Sequence, residues 1–254
     1  MKTRFAILSF VVLGLFAAPA LCDMSYGDGG AALTDVLDSI TTNPAGNSSV
    51  NVVTDPIAEG QDDQWRITAV GGSVATMIIE VAGWANTNTF GVYDFSDPTK
   101  SVQLFDGSAA AGAQAMLSIM ADGSVKVNLV DTGVDFAGVW FGFYIDSSGN
   151  LNNQGVDEGG RWYSDTTRNS DGLDHMVAIQ GTNTDTVQLP GLAAGLWTDN
   201  EFVLAFEDKA AQFSDRDYDD LVVMVESVMV PVPGAVLLGL LGLSVAGARL
   251  RKRS

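Results

Sequence analysis

From Val50 to Val228 the chain is a succession of short β-type runs separated by Gly, Asn, Asp and Ser turns, with no helical pattern between them. That alternation constrains the fold more than any other feature. The runs are Val50–Val53, Trp65–Val70, Val74–Val81, Thr89–Tyr93, Ser101–Phe105, Ala115–Met120, Ser124–Val130, Val139–Ile145, His175–Gln180, Phe202–Phe206 and Leu221–Val228. Ser124–Leu129 alternates polar and apolar residues, the period of a sheet with one face in water. Asp122-Gly123 between two runs is a hairpin signal. Runs at this spacing predict an all-β protein, an antiparallel β-sandwich of jelly-roll-like type, in one domain over 23–230. No repeat of fixed period is present, which argues against solenoids and propellers. One helix is expected near the start of this domain, where Leu33, Val36, Leu37 and Ile40 fall at helical spacing with Asp35 and Asp38 opposite.

Composition narrows the function. Hydrophobic residues make up 46%, including 12 Phe and 5 Trp, which is enough for a core and excludes a disordered acidic tail. Thirteen Lys and Arg stand against 31 Asp and Glu, a formal charge of −18, so binding driven by phosphate neutralisation is excluded and no nucleic-acid partner is expected. A single Cys rules out an intramolecular disulfide scaffold, and a single His leaves little from which to build a Ser-His-Asp or Cys-His set.

The two ends read as addresses. Residues 1–22 carry Lys2 and Arg4, an apolar run from Phe5 to Phe16 and the small-residue stretch Ala17–Cys22, the layout of a signal peptide cleaved after Ala20 or Cys22. Residues 231–254 begin Pro231-Val232-Pro233-Gly234, continue as an apolar helix to Leu250, and carry Arg249, Arg251, Lys252 and Arg253. At about 1.5 Å per residue, Gly234–Leu250 makes a helix of roughly 25 Å, slightly short of a ~30 Å hydrocarbon core. The basic cluster places its C-terminus on the cytoplasmic side. This Pro-x-Pro, apolar, basic order resembles the PEP-CTERM sorting signal of Gram-negative bacteria, with Val232 where the family's glutamate stands. The resemblance implies an exosortase-type processing partner, transient inner-membrane anchoring, and delivery to the cell surface or exopolysaccharide. An unprocessed membrane anchor is the alternative. Without both ends, seven bases remain against 31 acids, a net charge of −24.

The acids concentrate between two apolar runs. Glu207, Asp208, Asp215, Asp217, Asp219 and Asp220 place six carboxylates in fourteen residues, which repel one another unless a cation or base intervenes. Calcium, which takes oxygen ligands, is the cofactor this pattern suggests. An EF-hand is rejected, because Asp220 stands where the loop needs Gly and the chain continues into a strand. A second polar group, Asp165, Asn169, Asp171 and Asp174, either completes that site or serves only turn geometry. His175, at the head of a run, is expected to be structural. The order Trp162–Asp165, Asn169-x-Asp171-Gly-x-Asp174-His175, Leu204–Asp208 and Asp215-x-Asp217-Tyr-Asp219-Asp220 resembles a domain of unknown function in bacterial secreted and surface proteins, with Asp219 where relatives commonly have Asn. The resemblance implies an extracellular β-rich module and implies no catalysis. The expectation is thus a non-enzymatic surface or matrix protein stabilised by calcium. The alternatives are a carbohydrate-binding module using Trp84, Trp140, Trp162 or Trp197, or a glycoside hydrolase using two of the acids.

Overall fold

A computed structural model describes residues 25–70, 72–80 and 86–231. The signal segment, Trp84, and the apolar and basic tail with Val232, Pro233, Gly234, Arg249, Arg251, Lys252 and Arg253 lie outside the described residues. Among the described residues no helix is long and apolar enough to cross a membrane.

The protein is mostly β, with antiparallel sheets. In chain order the elements are α1 (Ala31–Ile40), β1 (Thr41–Asn43), β2 (Arg66–Ile67), β3 (Ser73–Glu80), β4 (Thr89–Asp94), β5 (Asp97–Phe105), β6 (Gln114–Ile119), β7 (Ser124–Val127) and β8 (Val130–Asp135). There follow β9 (Phe141–Asp146), β10 (Arg161–Tyr163), a 3-10 turn at Thr166–Arg168, β11 (Met176–Gln180), β12 (Thr186–Val187), β13 (Gly195–Leu196), β14 (Glu201–Phe206), β15 (Leu221–Glu226) and β16 (Val228–Met229). A four-stranded sheet runs β10-β9-β4-β5 and a seven-stranded sheet runs β11-β14-β15-β3-β6-β7-β8.

The pleat explains how these layers hold together. On β14, Phe202, Leu204 and Phe206 point to one face and meet Phe90, Phe141 and Phe143 of the smaller sheet in the main core. Phe90 stacks on Phe143 at 5.7 Å and meets Phe206 edge-on at 5.7 Å. Each fully buried side chain of this size contributes about 1.5–3 kcal/mol. Val203 and Ala205 point the other way, into a second core formed with Val177, Ile179, Val222, Met224 and the apolar stripe of α1. Because α1 covers this outer face, β11, β14 and β15 are buried on both sides and read as continuous apolar runs. The free edge of β11 is met by the incoming chain, where the Ile57 N–H donates to the Ala178 carbonyl at 2.9 Å.

Four expected strands differ, among them Leu221–Val228, which breaks at Ser227, φ 59°, into β15 and β16. Val50–Val53 is a turn: Val50 and Val52 are buried, but the Asn51 side chain accepts from the Val53 and Thr54 amides at 2.9 and 3.2 Å, so the backbone curls. Ser124–Val130 is two strands, because Asn128 and Leu129 take φ of 51° and 67° and reverse the chain. Trp65–Val70 keeps only the two residues of β2, paired with β16. The hairpin turn at Asp122-Gly123 forms as expected, with Gly123 at φ 95°.

Candidate metal centre

The centre is built where β14 ends and the chain loops back into β15. Phe206 is the last residue of β14, and the Glu207 N–H continues the ladder by donating to the His175 carbonyl at 3.0 Å. Glu207 and Asp208 are thereby pulled inside, each at 0% exposure. The loop 209–220 then wraps around them. Ser214 Oγ donates to Glu207 Oε2, and the Tyr218 N–H donates to Glu207 Oε1 at 2.8 Å. To make that wrap, Arg216 and Tyr218 adopt φ of 58° and 56°, the left-handed region that costs a non-glycine residue about 1–2 kcal/mol. The loop is braced from outside by the N-terminal segment. Gly27 N–H donates to the Arg216 carbonyl at 2.9 Å, and Tyr26 meets the Tyr218 ring edge-on at 5.3 Å. A Cβ on Gly27 would fall 1.9 Å from the Asp215 carbonyl oxygen, so only glycine fits there.

This winding brings one ligand oxygen each of Glu207, Asp215 and Asp220 within 4.8 Å of one another. Oxygens that share a calcium ion at about 2.4 Å lie no farther apart than twice that distance, so the trio has the spacing of a common ligand set. Asp220 is braced in turn, its Oδ2 accepting from the Asp208 N–H at 3.0 Å. Asn88 Nδ2 donates to Asp208 Oδ2 at 2.8 Å, but Asp208 Oδ1 is buried with no hydrogen-bond partner. An unpartnered buried carboxylate oxygen costs about 1–3 kcal/mol or more.

Charge tells the same story. Burial first, then the Asp208 and Glu207 carboxylates, push Asp220 well above the ordinary carboxylate range. Burial likewise raises Glu207 against the donors from Ser214 and Tyr218, with Asp217 and Asp215 adding to the rise. Lys209 is the base at this site. Burial works against its ammonium, but Asp220, Asp208, Asp215 and Glu158 outweigh that and hold it above its ordinary range. One lysine does not balance this many acids.

The other expected ligands are placed differently. Asp217 and Asp219 stand outside the trio, with the Asp219 N–H 3.4 Å from Asp217 Oδ1. Asp219 is pushed up to about 6, by burial first and by Asp217 second. In the second group, Asp165 caps the 3-10 turn through the Thr167 N–H at 3.0 Å and pairs with Arg168 at 2.8 Å. Asn169 is spent on backbone groups of Tyr163 and Leu173. Asp171 touches the acidic loop by accepting from the Ala211 N–H at 2.8 Å, yet does not join the trio. Asp174 meets the loop through its backbone, its carbonyl accepting from Tyr218 Oη at 2.7 Å, while its carboxyl lies beside Glu59 and outside the trio.

His175 is enclosed, stacked on Trp162 with centroids 4.0 Å apart and the rings 4° from parallel. Its Nδ1 contacts the Glu207 carbonyl and its Nε2 contacts Asp171 Oδ2, both at 3.1 Å. Both partners are acceptors, so only the imidazolium makes both bonds. Burial nonetheless holds the ring below its ordinary range, with Asp171 working against that. Trp162 and Trp197 are core residues, at 4% and 1% exposure, and offer no face to a sugar. Trp140 is half-buried, with the Arg66 guanidinium 5.6 Å above its ring.

Sequence reasoning missed Asn88, Ser214 and Gly27. Asn88 carries no local signal, since it reaches Asp208 across 120 positions. Ser214, seven positions from Glu207, was within reach of a loop-level reading.

Fold and site together define a mostly-β module with an oxygen-lined acidic centre at the mouth of a central hairpin. A family model described as a domain of unknown function, DUF4114, matches residues 136–228, a segment that runs from just before β9 to the start of β16 and contains the whole trio. No curated protein and no solved structure matches the chain.

Proposed function

We propose that this protein is a non-enzymatic, exported cell-surface or exopolysaccharide-associated module, and that calcium held by Glu207, Asp215 and Asp220 locks the 209–220 loop onto its β-sandwich. The observation that carries the reading is the convergence of those three carboxylates within 4.8 Å beside the unpartnered Asp208 oxygen. All the donors are hard oxygens, which suit calcium and give a thiophilic metal no ligand. Millimolar calcium outside a cell would keep such a site filled. The basic-ended apolar tail supports export with sorting by an exosortase-type enzyme, anchoring at the inner membrane being transient. A lectin-like role would have to rest on Trp140, because Trp162 and Trp197 are enclosed.

The test is calorimetric titration of the protein with calcium, together with Asp215→Asn and Asp220→Asn. Binding to the wild type that weakens at least tenfold in both variants supports the reading. Equal binding in all three rejects it. Mass spectrometry of surface material decides the sorting: mature protein lacking Arg249–Ser254 is expected, and retained terminal arginines contradict it.

A further inference from the structure

A second set of enclosed oxygens lies on the other side of the Asp174 turn. Glu59 Oε2, Asp62 Oδ1, Asp63 Oδ1 and Thr166 Oγ1 are each shut off from solvent with no hydrogen-bond partner. Asp62 is the extreme case, a carboxylate residue at 1% exposure. The loop carrying it is fixed: Trp65 Nε1 donates to the Asp62 carbonyl at 2.6 Å, and Ser164 Oγ donates to the Asp63 carbonyl at 2.9 Å. The Asp174 carboxyl faces this loop, within hydrogen-bonding reach of Glu59 and close enough to Asp62 for the two to repel. A cavity of about 190 Å³ opens beside them, lined in part by Glu59, Thr166 and Asp174.

The protein supplies little countercharge to this group: Arg168 acts to lower Asp63, but burial, Asp165 and Glu59 outweigh it. Arg168 is engaged with Asp165 at 2.8 Å and the Phe95 carbonyl at 2.7 Å, and Arg216 lines the cavity as its single base. Burial first, and neighbouring carboxylates second, push Asp62 and Asp174 well above the carboxylate range and Asp63 up to about 7. Asp174 Oδ1 accepts from the Met176 N–H at 3.2 Å, but Glu59 Oε2 and Asp62 Oδ1 have no donor, and carboxyls this close require either a shared proton or a cation. Unlike the first trio, these carboxylates are not drawn within 4.8 Å of one another, so on this fixed loop it is the side chains that would have to turn toward a common ion.

We propose that Glu59, Asp62 and Asp174, with Thr166 Oγ1, bind a second hard divalent cation of calcium type, which clamps the 58–65 loop against the Asp174 turn. The donors are all oxygen, and none belongs to the Glu207–Asp215–Asp220 set, so this site stands or falls apart from the first.

The experiment counts calcium bound to the full chain by equilibrium dialysis with radioactive calcium, in wild type, in E59Q/D62N and in E207Q/D220N. Two ions per wild-type chain, one in each double variant, is the expected result. Two ions retained in E59Q/D62N, or none in E207Q/D220N, overturns the second site. If the wild type binds one ion that only E207Q/D220N loses, the second site fails and the first stands. If only E59Q/D62N loses it, the reverse holds. A shared proton predicts an unchanged count with a higher melting temperature of E59Q/D62N in chelator, and that also overturns the proposal. Should E59Q/D62N fail to fold, the count on E207Q/D220N decides alone: one ion supports the site and none overturns it.

Discussion

The two acidic clusters on this protein solve the same electrostatic problem by different routes. At the Glu207–Asp220 centre, the carboxylates come from fourteen consecutive residues, and the loop that carries them supplies its own donors: Ser214 Oγ, the Tyr218 amide and the Asp208 amide. At the Glu59–Asp62–Asp174 cluster, the acids come from segments more than a hundred residues apart, and Glu59 Oε2 and Asp62 Oδ1 find no donor. A contiguous acidic loop can thus brace itself before any ion arrives, whereas a cluster assembled by tertiary packing depends on a proton or a cation from solution to neutralise it.

The largest expected effect is that of removing calcium. A ligand at a hundredfold its Kd stabilises by about 2.7 kcal/mol per site, which for a domain of this size is roughly 5–10 °C in Tm. Differential scanning fluorimetry in millimolar calcium and in chelator measures it, and superimposable curves would remove both clusters from consideration as ion sites.

Next in size is Asn88→Ala. It deprives Asp208 of its hydrogen bond at 2.8 Å and leaves both oxygens bare, at a cost of about 1–3 kcal/mol by urea denaturation. The loss should fall on the first centre alone, so a variant that instead disturbs cleavage of the 58–65 loop by protease would break the separation drawn between the clusters.

A smaller effect is a pH slope in the chelated protein. Asp63, Asp174 and Asp220 have folded-state values raised above their unfolded ones, so the folded state holds more protons and the stability they contribute is fully present below about pH 4. It is lost as pH rises through the folded values, about 7 for Asp63. Tm in chelator should therefore fall between pH 4 and pH 7, and calcium should flatten that slope; a rise with pH in chelator would contradict it.

The smallest effect is a control away from both clusters. Glu201 and Glu226 face each other across β14 and β15, and burial, then Glu201, raise Glu226. Glu226→Gln should raise stability by no more than about 0.5 kcal/mol, equally with and without calcium. A calcium-dependent gain would show that repulsion is shared across the whole sheet rather than confined to the two clusters.

The same contrast sets how much was legible in the sequence. The strands β11, β14 and β15 stand out as apolar runs because both of their faces are covered, and α1 stands out by its 3.6-residue period. The short strands β10, β12 and β13 carry no pattern, since two or three residues cannot display a period. Asn128-Leu129 hid a reversal because the turn residues lie inside an alternating run, and Leu129 is an unusual occupant of a left-handed position. At the first centre the acidic spacing exposed the loop, but not which of the six carboxylates converge; that depends on the left-handed turns at Arg216 and Tyr218. Glu59 and Asp62 went unnoticed because their partner Asp174 is distant in sequence.

The bond from Ile57 to Ala178 has a consequence for behaviour at high concentration. β11 is the outermost strand of the large sheet, and Ile57, at the start of the segment that carries Glu59 and Asp62, bonds to its open side. Outermost strands left bare serve as templates for neighbouring molecules. Loosening that segment would uncover such a template, so if an ion clamps it as proposed, withdrawing calcium should increase self-association as read by light scattering.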